Sequence, residues 1–181
     1  MPLVRCEPQL PRPIEATRRE TLEWVSRSAP GLVVADAELG TLLFAGSVQL
    51  VRAVQRHLHR YGLSTGRFAV LITLGSAPGG CHTPSALAER IAVRRPTVTG
   101  IVDGLENVGL VRRCADPANR RNQLVVLTEE GRRLVQEIAP DHFRRLVAAV
   151  GRFTPAERAT LRAAMDLLDR FGDVLLEERD S

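Results

Sequence analysis

The sequence predicts a mainly α-helical fold with a small β component (α+β), on three observations. Most of the 181 residues fall into segments whose apolar positions recur at helical spacing. Two short runs rich in valine and leucine, LVRRC and QLVVLT, flank the turn DPANRRN and predict a β-hairpin. Hydrophobic residues make up 44% and charged residues 25%, a composition typical of a globular chain.

The N-terminal part predicts two helices after an irregular, proline-rich start in residues 1–13. The stretch IEATRRETLEWVSRSAP forms a short helix that Pro30 and Gly31 end. A long helix follows over residues 35–62, where Gly62 fits the position after a helix end. Its apolar positions are Leu39, Leu42, Leu43, Leu50, Val51, Val54 and Leu58.

Three shorter helices follow, each with a recognisable start. Ser64 caps the first, over residues 64–80. Thr83 before Pro84 begins TPSALAERIAV, and Pro96 gives the same signal for RRPTVTGIVDGLENVG. The predicted buried residues of the first are Phe68, Val70, Leu71, Ile72 and Leu74, and the residues that line one face of the third are Val98, Ile101, Val102 and Leu105.

Two long helices are predicted after the hairpin. Thr128 caps the first, which Pro140 should kink or interrupt. The stretch TPAE predicts a capping box in which Thr154 caps the last helix and Glu157 reaches back. The apolar face of that helix comprises Leu161, Met165, Leu168, Phe171 and Leu175, which form either a partner interface, the favoured interpretation, or an intramolecular core.

Charge and cysteine content indicate an acidic partner and a reducing compartment. The net charge is +4, and all 25 cations are arginines, which can make forked contacts to phosphate. Cys6, Cys81 and Cys114 share no metal-ligand spacing. We see neither a signal-peptide pattern nor an apolar run of the ~20 residues that a membrane span needs. The sequence therefore predicts a cytoplasmic protein with reduced thiols.

Two short helices joined by a tight turn and followed by a hairpin predict a winged helix-turn-helix. In such a unit the second helix enters the DNA major groove with its N-terminal residues foremost, and the hairpin tip overhangs the minor groove, which attracts arginine. The predicted DNA-contacting residues are Ser85, Arg94, Arg95, Thr97, Thr99, Arg120 and Arg121. Arg120 and Arg121 form the hairpin tip, which alone would also suit a solvated turn.

The stretch TPSALAERIAVRRPTVTGIVDGLENVGLVRRCADPANRRNQLVVLTEEGRRL resembles the MarR family of bacterial transcription regulators. The matching features are the PTVT and LExxGLV segments, the DPxxRR wing and the LTxxG start of the next helix. The resemblance implies an obligate homodimer on a pseudo-palindromic operator, usually as a repressor, with half-sites ~34–36 Å apart. Asn119 stands where family wings often carry an aspartate that holds the tip arginine.

This resemblance divides the chain into four parts. Residues 1–34 form an N-terminal extension with a short extra helix, residues 35–62 and 129–181 form the dimerisation helices, and residues 64–128 form the DNA-binding domain. The last two helices and the first long one carry more apolar surface than one small domain could cover, which favours a dimer independently.

The extra helix resembles that of the urate-responsive subgroup of the family. Trp24 and Arg113 match two of that subgroup's four pocket positions, whereas Ala69 and Ile101 replace an acid and a base. The resemblance thus implies a small phenolic or carboxylate effector other than urate. The candidate effector-binding residues are Trp24, Arg52, His57, Phe68 and Arg113. Trp24 would otherwise be a packing anchor, and Arg113 would otherwise bind phosphate or an acid such as Asp116.

Other functions have less support in the sequence. Redox sensing is the main alternative trigger, through Cys81 in a glycine-rich loop beside His82, or through Cys6. No metal site, cofactor or enzymatic motif is expected, and His57 and His59 point to different faces of a helix. A winged-helix module that binds proteins instead of DNA is the remaining alternative.

Overall fold

The structure, a computed structural model, describes residues 12–117 and 123–177, with side chains from residue 18 onward. Cys6 and the wing-tip residues Asn119, Arg120 and Arg121 lie outside the described residues. The chain divides into two compact units, Met1–His59 and Arg60–Ser181. The helices and strands are α1 (Arg12–Ser28), α2 (Val34–Leu58), α3 (Thr65–Ser76), β1 (Cys81–His82), α4 (Pro84–Arg90), α5 (Arg95–Asn107), β2 (Val111–Ala115), β3 (Gln123–Leu127), α6 (Glu129–Val150) and α7 (Pro155–Glu177).

The first unit contains α1 and α2. Leu22 is the buried apolar residue of α1, and the Arg18 guanidinium lies 3.8 Å from the Glu38 carboxylate of α2. Large apolar side chains of α2 remain exposed, namely Leu39, Leu42, Phe44, Val48, Leu50 and Val51. Because water disfavours such a surface, α2 is built to be covered by something outside this unit's own core.

The apolar character of α2 corrects one sequence-based expectation. The segment Val34–Tyr61 is long and apolar enough, by length and composition, to cross a membrane, and none of its most apolar stretch is buried. The segment holds no uninterrupted apolar run, because glycine, serine and a few charged residues are distributed through the helix. Length and composition alone are weak evidence for a membrane span, since a core helix of a soluble protein can meet the same criteria.

The second unit is built around a three-stranded antiparallel sheet in the order β1-β3-β2. Arg113 of β2 pairs with Val125 of β3, and Cys81 of β1 pairs with Val126 on its other edge. The fully buried side chains include Val70, Leu71, Leu74, Leu87, Val98, Val102, Leu105, Val111, Val125 and Ile138. The arrangement α4-turn-α5-β2-β3 is the predicted winged helix-turn-helix, formed around one core.

Tight backbone packing joins α5, β2 and α6 at a single point. Gly109 ends α5 with a φ of 74°, a left-handed conformation that glycine adopts without strain. The Thr128 hydroxyl donates to the Gly109 carbonyl at 2.6 Å and accepts from the Gly131 N–H at 3.0 Å. A Cβ added to Gly131 would overlap the carbonyl oxygen of Leu110. The LTxxG stretch therefore needs a threonine for the cap and a glycine for the close approach.

Several local expectations are confirmed. Ser64, Thr83 and Thr128 each accept a backbone N–H at the start of their helices. At the last helix the Thr154 N–H donates to the Glu157 carboxylate at 2.7 Å, and the Glu157 N–H donates to the Thr154 hydroxyl at 3.3 Å. These contacts lower the pKa of Glu157 below its ordinary value, chiefly through the backbone hydrogen bond.

Other local expectations are wrong in part. The helix α6 continues through Pro140, so Pro140 does not interrupt it. Ile72 is half-buried rather than buried. No described side chain of α7 is buried, and Leu161, Met165 and Leu175 are exposed, so the alternative of an intramolecular core is wrong for that face. These errors arise because periodicity identifies an apolar face without identifying what covers it.

Candidate nucleic-acid interface

The turn between α4 and α5 sets the start of the second helix. Ala92 occupies the left-handed region with a φ of 53°, and the next N–H, from Val93, donates to the Ala88 carbonyl at 3.0 Å. The left-handed residue and this hydrogen bond together end α4, a position that glycine usually occupies. The N-cap of α5 is Arg94, whose side chain makes no capping hydrogen bond to the first N–H groups of the helix.

The start of α5 has exposed polar side chains beside a buried apolar face. Arg94, Arg95, Thr97 and Thr99 are all exposed, whereas Val98, Val102 and Leu105 are fully buried. The Thr99 hydroxyl donates to the Arg95 carbonyl at 3.1 Å, which leaves its oxygen lone pairs as acceptors. Two guanidinium groups and two hydroxyls at an exposed helix start can bind phosphate or guanine.

Ser85 lies beside the two arginines. It lines the same open depression of about 440 Å³ as Arg94 and Arg95, with Glu89 on the wall from α4. The structure therefore brings three of the seven predicted DNA-contacting residues to one depression, and Thr97 and Thr99 are exposed farther along α5. The other two, Arg120 and Arg121, belong to the wing tip outside the described residues.

Arg113 makes contacts that sequence reasoning did not identify. Its Nη2 lies 2.5 Å from Asp103 Oδ1, its Nη1 contacts Glu106 Oε2, and its backbone N–H donates to Glu106 Oε1 at 3.0 Å. Hydrogen bonding to Asp103, partly offset by burial, raises the pKa of Arg113 above its ordinary value. Both carboxylates belong to α5. The acid-binding alternative is thus the observed one, with Asp103 and Glu106 as partners.

A second arginine lies against the same helix. A Cβ added at Gly104 of α5 would approach Arg67 Nη2 of α3 to 2.7 Å, so the guanidinium packs directly on the helix backbone. Gly66 of α3 makes a similar approach, since a Cβ there would lie 3.0 Å from Ile101 Cδ1. Small residues on both helices therefore allow α3 and α5 to pack closely.

The five candidate effector-binding residues fall in different units. Trp24, Arg52 and His57 belong to the first, and Phe68 and Arg113 to the second. Trp24 is 63% exposed and Arg52 is exposed, whereas His57 is half-buried. The alternative of Trp24 as a packing anchor within this chain therefore lacks support.

Phe68 is buried in an aromatic cluster with His142. The rings of Phe68 and His142 meet edge to face with centroids 4.7 Å apart. The ring of Phe143 also meets the His142 ring edge to face, with centroids 5.5 Å apart. Burial lowers the pKa of His142 below its ordinary value, and the negative charge of Asp141 partly opposes this. The Tyr61 hydroxyl donates to the same Asp141 carboxylate at 3.1 Å.

The described cysteines lie in the sheet. Cys81 is in β1, paired with β3, and not in the loop that the sequence suggested. Cys114 lies in β2 on the far side of β3, and both are free thiols. Within residues 12–117 and 123–177 no three His, Cys, Asp or Glu residues are grouped as metal ligands would be.

Comparison with known proteins connects this geometry to a family. The MarR family profile matches residues 63–123. The transcriptional repressor YetL of Bacillus subtilis is 31% identical over 121 residues, which cover 67% of this chain and 72% of that protein.

Two solved structures extend the similarity. Sco3205 of Streptomyces coelicolor, a MarR family regulator solved in complex with DNA, superimposes with a TM-score of 0.66 at 26% identity, covering 78% of this chain and 90% of its own. BpsR of Bordetella bronchiseptica, whose DNA binding is regulated by 6-hydroxynicotinic acid, gives a TM-score of 0.62 at 30% identity over 74% of this chain and 92% of its own. Family and relatives are regulators and not enzymes. This chain belongs to the MarR family of DNA-binding transcription regulators.

Proposed function

We propose that this protein is a cytoplasmic homodimeric repressor, released from a pseudo-palindromic operator by a small aromatic or anionic ligand. The observation that carries the proposal is the start of α5, where Arg94, Arg95, Thr97 and Thr99 are all exposed while the apolar side of the helix is buried. YetL is a repressor, and the DNA complex of Sco3205 supports duplex DNA as the partner.

The dimer rests on apolar surface that this chain does not cover. Val147 of α6 is 72% exposed, and Leu167 and Leu176 of α7 are exposed to a similar degree. A monomer rarely leaves surfaces of this kind in water. We therefore assign residues 35–62 and 129–181 to the dimer interface, residues 64–128 to DNA binding and residues 1–34 to an appended extension.

A second copy would duplicate the α5 surface about a two-fold axis. Two recognition helices then reach successive major grooves, whose half-sites are centred about 10–10.5 base pairs apart. In this arrangement Arg120 and Arg121 of the wing enter the flanking minor grooves, where a narrow groove concentrates negative potential.

The effector is proposed on chemical grounds. Trp24 offers an exposed ring for stacking, and Arg52 offers an exposed cation for a carboxylate or phenolate. The regulation of BpsR by 6-hydroxynicotinic acid, a hydroxylated aromatic acid by its name, agrees with this class. His57 and Phe68 complete the proposed set, and Arg113 joins it only by releasing its two carboxylates.

Selection from a random DNA pool tests the proposal. The purified protein should enrich a palindromic sequence, and log K for that duplex should fall steeply with log salt, with a slope of about −0.9 per phosphate contacted. Small aromatic acids are then titrated into the complex, and at least one should release the DNA. Enrichment of no sequence would reject the proposal in favour of a protein-binding module.

A further inference from the structure

Resting on the proposed function, we infer that Arg113 is a positioning residue that fixes the wing relative to the recognition helix α5. It acts through Asp103 and Glu106 and contacts neither DNA nor effector. Operator recognition needs both elements to meet the same duplex at once. The angle between them therefore determines which sequences the protein can bind.

The connection between α5 and β2 is short and is held by hydrogen bonds at Gly109 and Leu110. Arg113 adds a second attachment farther along β2. Three residues, Val108–Leu110, join the end of α5 to the start of β2, and Gly109 among them adopts a φ of 74°. Strand β2 leads directly into the wing turn. Arg113 spans this connection from the middle of β2 to the last two turns of α5.

The contacts of Arg113 attach β2 to α5 at more than one point. Asp103 and Glu106 are three residues apart on α5, so their carboxylates share one face of the helix. Two guanidinium nitrogens contact one carboxylate each, and the Arg113 backbone N–H binds Glu106 as well. Both the side chain and the backbone of β2 are thus held to α5, which a pair of flexible surface charges would not achieve.

The charge balance argues against the other roles of Arg113. One cation between two carboxylates presents no net positive charge to a phosphate or to an anionic ligand. The Arg113 side chain is only 23% exposed. If the Arg113 side chain moved away to bind another group, both ion pairs would break, and Asp103 and Glu106 would lose the cation that neutralises them near the DNA.

The test uses a duplex selected by the wild-type protein and a scrambled duplex of the same composition. Affinity for each is measured over a range of salt concentrations for Arg113→Met, Glu106→Gln and the double variant. Arg112→Met is the matched control, because Arg112 is the exposed neighbour on the same strand and carries the same charge.

We expect Arg113→Met to lose about tenfold in affinity for the selected duplex, a coupling typical of a broken charge pair, and to keep its affinity for the scrambled duplex. The salt slope stays unchanged. The double variant should be no weaker than Arg113→Met alone, since both changes break one connection. Arg112→Met should leave the ratio of the two affinities unchanged.

Several results would overturn the inference. A salt slope about 0.9 smaller per lost contact would make Arg113 a phosphate ligand. A lower melting temperature with an unchanged affinity ratio would make its role purely structural, and weaker effector binding would make it a pocket residue. If Arg113→Met does not fold, Asp103→Asn, whose side chain is 53% exposed, must lower the ratio in its place. Failure of the wild-type protein to select any sequence would overturn the proposed function together with the inference.

Discussion

The winged-helix segment with the first turn of α6, residues 63–131, and the apolar helix faces of α2, α6 and α7 bury their side chains differently. In the segment, Leu74, Leu105 and Val125 are fully buried, and a Cβ added at Gly131 would overlap the Leu110 carbonyl. On the helix faces, Leu50 is 70% exposed and no described side chain of α7 is buried. The first region completes its core within one chain, whereas the second requires another surface.

The largest expected effect is on the close-packed side of this comparison. Gly131→Ala would force a methyl group into the Leu110 carbonyl, and overpacking against backbone should cost about 3 kcal/mol in the free energy of unfolding, the upper end of the usual range. Gly46→Ala on α2 is the control, since nothing lies within 4 Å of its added Cβ. Chemical denaturation measures both variants. Equal losses would show that Gly131 is not a special contact.

A charge placed on one of the apolar helix faces should weaken association of two copies without preventing folding. Leu50→Glu places a charge on a surface that we expect to be buried between two copies, and should weaken the dimer by roughly 2 kcal/mol or more. Sedimentation at several concentrations would detect the dissociation. Gln123→Glu, at an exposed polar position of β3 outside the proposed interface, is the control and should leave the dimer intact. A Leu50→Glu protein that remains dimeric would remove α2 from the interface.

The next largest effect is expected on operator affinity when the proposed DNA-contacting arginines are replaced. Arg94→Ala, Arg95→Ala, Arg120→Ala and Arg121→Ala should each weaken operator binding by about 1–3 kcal/mol, because each removes a base or phosphate contact. Fluorescence anisotropy with the selected duplex measures the losses. Arg19→Ala is a suitable control, since Arg19 lies in the N-terminal extension and pairs with Glu23 of the same helix at 3.9 Å. Unchanged affinity in both wing variants would make the wing assignment wrong.

A smaller effect is expected at the turn before α5. Ala92 adopts a left-handed conformation that costs an L-residue roughly 1 kcal/mol, so Ala92→Gly should leave stability unchanged or raise it slightly. Ala88→Gly, in the helical interior of α4, should instead lower it by about 1 kcal/mol. Thermal unfolding distinguishes the two. A clear loss for Ala92→Gly would mean that the methyl group makes contacts that outweigh the strain.

The smallest expected effect concerns pH. Burial lowers the pKa of His142, so the unfolded chain binds a proton more readily than the folded one. The contribution of the neutral imidazole is present above the ordinary histidine pKa and is lost as pH falls from there towards the lowered folded value. His142→Gln should flatten the dependence of unfolding free energy on pH in that window. An equally steep profile in the variant would assign the effect to another group.

Local chemistry explains what the sequence predicted and what it missed. Helix starts at Ser64, Thr83 and Thr154 were predictable, because each cap depends on residues within three positions. Strand β1 was missed, because two residues become a strand only when β3 lies beside them. The Arg113 contacts with α5 were missed for the same reason, although an acid on α5 seven residues before an arginine on β2 was visible in the sequence.

The stoichiometry on DNA tests the central claim most directly. Light scattering of the complex with the selected duplex should give two chains per duplex, with half-sites centred about 10–10.5 base pairs apart. Adding five base pairs between the half-sites should abolish tight binding, because it turns one recognition helix to the opposite side of the duplex. A single chain bound per duplex, or an affinity indifferent to that spacing, would contradict the account.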